Sequence, residues 1–97
     1  MKYKVTNIQN KGKIDMIEFQ KGKYILHVPS EAKINIDDKL NILVTNTEND
    51  LPNKFTVRLL GSVIRKNENN SLVSAGGLLC QLPEQFEMDQ TVYITVY

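Results

Sequence analysis

The sequence predicts an all-β fold, a single small antiparallel barrel of about eight short strands, closed or nearly closed. Three observations predict it. Apolar side chains recur at every second position through most of the chain, the pattern of strands with one buried face. Turn-forming residues interrupt that pattern at short intervals. No window of a dozen residues carries an apolar stripe at helical spacing. Closure is expected because an open sheet would leave two edges able to pair with other chains.

The first strand is expected where Tyr3 and Val5 alternate with lysines. In the next, Ile14 and Met16 share one face while Ile17 and Phe19 take the other, so the apolar phase slips between Met16 and Ile17. A β-bulge there, or burial on both faces, would account for the slip. Tyr24, Leu26 and Val28 then alternate with Lys23, Ile25 and His27. Leu40, Ile42 and Val44 alternate with Lys39, Asn41, Leu43 and Thr45. The longest row is Phe55, Val57, Leu59, Gly61 and Val63, with Gly61 placed where a small barrel needs a sharp bend. Leu78, Cys80 and Leu82 form another row, and Val92, Ile94 and Val96 form the last. Val, Ile, Thr and Tyr are plentiful in these rows, as strands prefer.

The turns fall at Lys11-Gly12-Lys13, Lys21-Gly22-Lys23, Pro29-Ser30-Glu31, Asp37-Asp38, Asn46 to Asn53, Asn67 to Asn70, and Pro83 to Gln90. A faint internal echo links two of them. Ile36-Asp37-Asp38 before Leu40, Ile42 and Val44 resembles Met88-Asp89-Gln90 before Val92, Ile94 and Val96. Each reads as an Asp-stopped turn leading into a core strand, two similar strand starts and not a duplication.

At 97 residues the chain makes one domain, residues 1–97, with too little length for two cores. Its 41% hydrophobic and 24% charged residues are ordinary for a soluble globular protein, and a net charge of +1 gives no pull toward nucleic acid or an anionic membrane. The single cysteine, Cys80, allows no internal disulfide and suits a reducing compartment. Met1 to Val5 starts no signal-peptide run, and no stretch approaches the roughly 20 apolar residues of a membrane span, so a cytoplasmic location is expected.

Few residues offer chemistry. His27 and Cys80 are the only side chains of their kinds, and nothing in the sequence brings them together with a third, orienting group. One His and one Cys make no zinc site, and Asp37, Asp38, Glu84, Glu87 and Asp89 lack calcium-loop spacing, so no metal or cofactor is expected. The two Lys-Gly-Lys triplets would sit at opposite ends of one strand, on the order of 25 Å apart, too far to hold one run of phosphates. Tyr24 and Phe55 are expected in the core, Phe19 is ambiguous, and Tyr93 and Tyr97 point outward. Those two tyrosines suit either base stacking or a protein interface. The Gly76-Gly77 pair marks a sharp bend or a point where another backbone approaches closely. Finally, Ile25, Leu43, Leu60, Ile64, Leu79, Tyr93 and Tyr97 point away from the core rows. So many outward apolar groups mean either a partner interface or loops folded over the sheet.

The stretch Gly61-Ser62-Val63-Ile64-Arg65, then Leu72 to Leu79 with its Gly76-Gly77-Leu78-Leu79 block, then Phe86-Glu87-Met88-Asp89 and Val92-Tyr93, resembles a family of polymerase subunits. It is the eighth small subunit of the nuclear RNA polymerases, with its archaeal counterpart, the G subunit. Tyr24 to Val28, Ile34, Ile36 and Asp38-Lys39-Leu40 are similar to the family more loosely. Ala75 stands where the family has an aromatic, Asn46 to Asn53 is shorter than the acidic loop of the nuclear proteins, and their basic tail is missing, which points to the archaeal branch. The resemblance implies an oligonucleotide-binding (OB) fold-like barrel and a non-catalytic accessory subunit docked on the largest subunit of RNA polymerase. It implies nucleic-acid contact at most indirectly through the complex, no membrane, and no small-molecule substrate. On this expectation Leu60, Ile64, Gly76, Gly77, Leu79, Tyr93 and Tyr97 form the partner interface. A stand-alone barrel binding single-stranded nucleic acid is the alternative, and a hydrolase using Cys80 and His27 a third.

Overall fold

The computed structural model describes residues 1–97. Eight strands form: β1 (Lys2–Lys11), β2 (Ile14–Phe19), β3 (Tyr24–Pro29), β4 (Lys39–Thr45), β5 (Val57–Lys66), β6 (Ser71–Ala75), β7 (Leu78–Leu82) and β8 (Thr91–Val96). All neighbours are antiparallel, in the order β1-β2-β3-β7-β6-β5-β8-β4 and back to β1. The ring closes unevenly. β3 meets β7 through two residue pairs, Ile25 with Gln81 and Leu26 with Cys80, and β1 meets β4 through three. The only helical turn is a 3-10 segment at Ser30–Ala32.

Alternation sends one face of every strand inward. The core comprises 17 residues, with Tyr24, Phe19, Ile17, Leu26, Leu82 and Ile94 its largest fully buried members. Tyr24, Leu26 and Val28 of β3 and Val92, Ile94 and Val96 of β8 are buried as their spacing predicts, while Leu40, Ile42 and Val44 of β4 are only half-buried against the core. Phe55 departs from expectation. β5 begins at Val57, so Phe55 lies outside the strand, 46% exposed, beneath the Arg58 guanidinium at 4.1 Å.

The apolar slip at Met16–Ile17 is not a bulge in β2, which pairs with β3 without interruption; β2 carries apolar groups on both faces, the second of the two expected explanations. The bulge sits on the facing strand, where β1 steps from Val5 opposite Phe19 to Asn7 opposite Glu18 and leaves Thr6 extra. The Thr6 hydroxyl fills the gap, donating to the Glu18 carbonyl (3.3 Å) and accepting from the Lys21 amide (3.0 Å). Ile17 and Phe19 take the buried face, and Ile14 and Met16 are half-buried outside. The glycines divide the two roles expected of Gly76-Gly77. That pair makes the bend, a two-residue turn at φ 60° and 92° between Ala75 and Leu78. Close backbone approach belongs to Gly61, where a Cβ would lie 2.8 Å from the Ser74 carbonyl carbon and nearer still to its oxygen.

The sequence echo proves to be the visible part of a repeat that spans the whole ring. Asp37 and Asp89 both have left-handed backbones, φ 72° and 64°. The Asp37 amide donates to the Val5 carbonyl (3.0 Å), and Val5 donates to Asp38 (2.8 Å). Likewise Asp89 donates to Val63 (3.0 Å) and Val63 to Gln90 (3.1 Å). Each valine is followed by a bulge, at Thr6 in β1 and at Ile64 in β5. Exchanging β1-β2-β3-β4 with β5-β6-β7-β8 returns the same ring, so the halves are related by an approximate two-fold axis through the β3–β7 and β4–β8 seams.

Candidate functional site

The expected interface residues separate into those that meet and those that do not. Leu60 on β5 faces Tyr93 on β8, and Leu60 precedes Ser62 by two positions on the same face. Ser62 pairs with Ser74 of β6, and Ser74 pairs with Leu79 of β7. Leu60, Ser62, Ser74 and Leu79 therefore run diagonally across the outside of three strands. Leu60 is 55% exposed, Ile64 48% and Leu79 38%, and Gly76-Gly77 caps the hairpin just beyond Leu79. Tyr97 lies apart. It follows β8 four residues beyond Tyr93, roughly 13 Å along the strand, where its backbone exchanges hydrogen bonds of 2.6 and 2.9 Å with Asn41.

Loop cover accounts for part of the outward apolar set, as the competing expectation held. The segment between β4 and β5 lies over the outer face of β8 through Arg58, which donates to the Thr95 hydroxyl (3.1 Å) and to the Pro52 carbonyl. Thr95 is consequently buried although its register points it outward, and Leu43, its partner on β4, is half-buried. Tyr93 is half-buried, its hydroxyl donating to Glu48 at 3.4 Å. Ile25, paired with Gln81 at the β3–β7 seam, is also half-buried. Leu60, Ile64 and Leu79 are left exposed, as is Tyr97 at its separate place.

His27 and Cys80 sit on adjacent strands but on opposite faces. Cys80 is fully buried, and that burial pushes its thiol up to about 12. His27 points outward, and its Nδ1 accepts the Leu79 amide at 3.3 Å. This bond stands in where the short β3–β7 ladder offers no backbone acceptor. Burial, and then the charge of Lys11, lower the His27 pKa from its ordinary 6.5. A thiol held inside and an imidazole committed outside form no nucleophile–base pair.

Two polar features lie elsewhere. A shallow pocket of about 380 Å³ lies among Gly12, Lys13, Pro29, Ser30 and Glu31, beside a surface cluster in which the Asn10 amide donates to Asp15 (2.8 Å) and Ser30 (3.2 Å). Deeper, the Tyr24 hydroxyl donates to a carboxylate oxygen of Glu84, while the other oxygen is buried without a partner. Burial and this carboxylate raise the Tyr24 phenol well above its usual range. Together with Ser71, whose hydroxyl donates to the Glu84 carbonyl (2.8 Å) and accepts from the Phe86 amide (3.3 Å), the pair anchors the segment from Pro83 to Gln90. The two Lys-Gly-Lys triplets are the β1–β2 and β2–β3 turns, at opposite ends of β2. Comparison with known proteins finds no family model that matches this chain, and no curated protein that matches it.

Proposed function

We propose that this protein is a non-catalytic accessory subunit of an archaeal-type DNA-dependent RNA polymerase. On this reading it docks on the largest subunit and stabilises the assembly through one outer face. The observation that carries the reading is the exposed run of Leu60, Ile64 and Leu79, which no loop of the chain covers. An isolated small domain has little reason to leave three large aliphatic groups on β5 and β7, one strand apart on the same outer face, in water, and a covering partner supplies one. The resemblance of Gly61 to Arg65, Gly76 to Leu79 and Phe86 to Tyr93 to the eighth-subunit family names that partner. The assignment of the ring as an OB-like barrel belongs to the same proposal.

The test uses the full-length protein with an affinity tag, expressed in its native host and recovered with what is bound to it. The large polymerase subunits are expected among the recovered proteins in near-equal amount. Their absence under conditions that keep the polymerase intact refutes the reading. A barrel that binds single-stranded nucleic acid would instead show affinity for oligonucleotides that falls steeply with added salt.

A further inference from the structure

The two-fold repeat provides an internal comparison for the exposed face. Matching the registers of the halves lays Val5 on Val63, Phe19 on Val73, Tyr24 on Cys80 and Asp37 on Asp89, and sets bulge on bulge. By the same matching, Lys2 opposite Asn41 falls on Leu60 opposite Tyr93. Glu18 opposite Ile25 falls on Leu72 opposite Gln81. Thr6 falls on Ile64, and Lys23, bonded to Gln20, falls on Leu79, paired with Ser74. One backbone arrangement thus carries Lys2, Thr6, Glu18 and Lys23 on one side and Leu60, Ile64, Leu72 and Leu79 on the other. Since the first half keeps its strands with polar groups at these positions, strand geometry does not demand apolar ones in the second.

Charge differs in the same sense. The strands of the first half mix Lys2, Lys4, Lys11 and Lys39 with Asp15 and Glu18. Those of the second half carry Arg58, Arg65 and Lys66 and not one carboxylate. Arg58 is turned onto Thr95, Pro52 and Phe55, which leaves Arg65, paired with outward Leu72, beside Ile64 at the rim of the apolar run. Lys66 pairs with buried Ser71, falls on core-packed Ile8, and rests against Glu87 at 3.7 Å, so it belongs to the other face.

We propose that the diagonal Leu60–Ser62–Ser74–Leu79, with Ile64 and Leu72 beside it, seats an apolar segment of the partner protein whose flank carries aspartate or glutamate facing Arg65. The two serines between the leucines are the smallest side chains of the diagonal. A second copy of this chain fits poorly, because a two-fold contact through this face would set cation against cation. Single-stranded nucleic acid fits poorly as well. The exposed groups on this face are aliphatic, Tyr93 is half-buried and bonded to Glu48, and a single rim cation holds little phosphate.

This inference rests on the docking reading, and the experiment separates the two. Full-length protein is prepared with the photo-cross-linker p-benzoylphenylalanine at Leu79, and separately at its two-fold mate Lys23. Each is irradiated in native-host extract and the joined peptides are sequenced by mass spectrometry. The Leu79 probe is expected to capture one apolar peptide with Asp or Glu within a few residues, at about ten times or more the yield of the Lys23 probe. Arg65→Glu is expected to lower that yield on the order of tenfold. Capture of a larger protein by the Lys23 probe alone keeps the docking reading and overturns this face. Capture at Leu79 of a peptide without acids, a second copy, or nucleic acid overturns the partner's chemistry, as does indifference to the charge reversal at Arg65. No capture by either probe overturns both.

Discussion

Replacing Gly61 with alanine tests how closely β5 and β6 approach. The added methyl would lie 2.8 Å from the Ser74 carbonyl carbon and 2.8 Å from Val73 Cγ1. Carbon atoms pack at about 3.5–4.0 Å, so the strands must separate by several tenths of an ångström or more. The nearest obstacle is main chain, held on its other edge by the pairing of Ser74 with Leu79. Overpacking of this kind costs about 1–3 kcal/mol. Alanine returns about 0.4–1 kcal/mol by narrowing the unfolded ensemble. The net loss then lies between about 0 and 2.6 kcal/mol and centres on about 1.3 kcal/mol, which in a domain of this size lowers Tm by about 5–10 °C. Gly76→Ala is the companion measurement, because its φ of +60° imposes left-handed strain while its surroundings hold nothing within 4 Å. Strain alone costs about 1–2 kcal/mol, and with no atom to displace, Gly76→Ala should leave β5 and β6 in place. Thermal melts followed by circular dichroism supply the two Tm values, and amide chemical shifts report whether Ser62, Val63, Val73 and Ser74 move. A Gly61→Ala protein with unchanged Tm and unmoved β6 amides would show that the approach is not tight.

Three further outcomes are expected. Ser71→Ala removes a buried hydroxyl and leaves the Glu84 carbonyl and Phe86 amide without their partner, so urea unfolding should register a loss of about 1–3 kcal/mol; a change within error would mean the Pro83–Gln90 segment does not depend on it. His27 titrates below its ordinary 6.5 when folded, so the unfolded chain binds the proton more readily and stability falls as pH drops below about 6.5 toward the folded value. His27→Gln should flatten that part of the stability–pH curve, and an unchanged slope would assign it to other groups. Cys80, with its thiol pushed up to about 12 and no exposure, should resist iodoacetamide at pH 8 until urea unfolds the protein; rapid labelling of the native state would contradict its burial.

Strand positions were legible wherever alternation continued to the strand's end, as in Val92, Ile94 and Val96. Phe55 misled because it keeps the parity of Val57 and Leu59 while standing outside the strand, and parity does not reveal where hydrogen bonding starts. The bulge at Thr6 did leave a trace, since Val5 and Ile8 are three apart and both pack on the core. That odd step points to an inserted residue in β1, yet the broken phase is more conspicuous in β2 opposite. The repeat is hard to see in the sequence because outward positions differ in kind between the halves, and matched identities such as Val5 with Val63 or Ile42 with Ile94 are the common apolar residues of any core strand. For the candidate face, sequence identified Leu60, Ile64 and Leu79 as outward but could not foresee Arg58 drawing a loop across Thr95 and Leu43. Such cover depends on the path of Asn46 to Asn53, where no periodicity operates.

β8 holds two neighbours at once, β5 along one edge and β4 along the other. Its bonds to β4 join residues about fifty positions apart, such as Val44 and Ile94, so loop-closure entropy is spent before that contact forms. On the ribosome, β1 through β7 can pair early, but β4 waits with one side unpaired until Thr91–Val96 has cleared the exit tunnel. Refolding in roughly milliseconds to seconds is therefore expected, with Ile42–Val44 among the last amides to gain protection from hydrogen exchange.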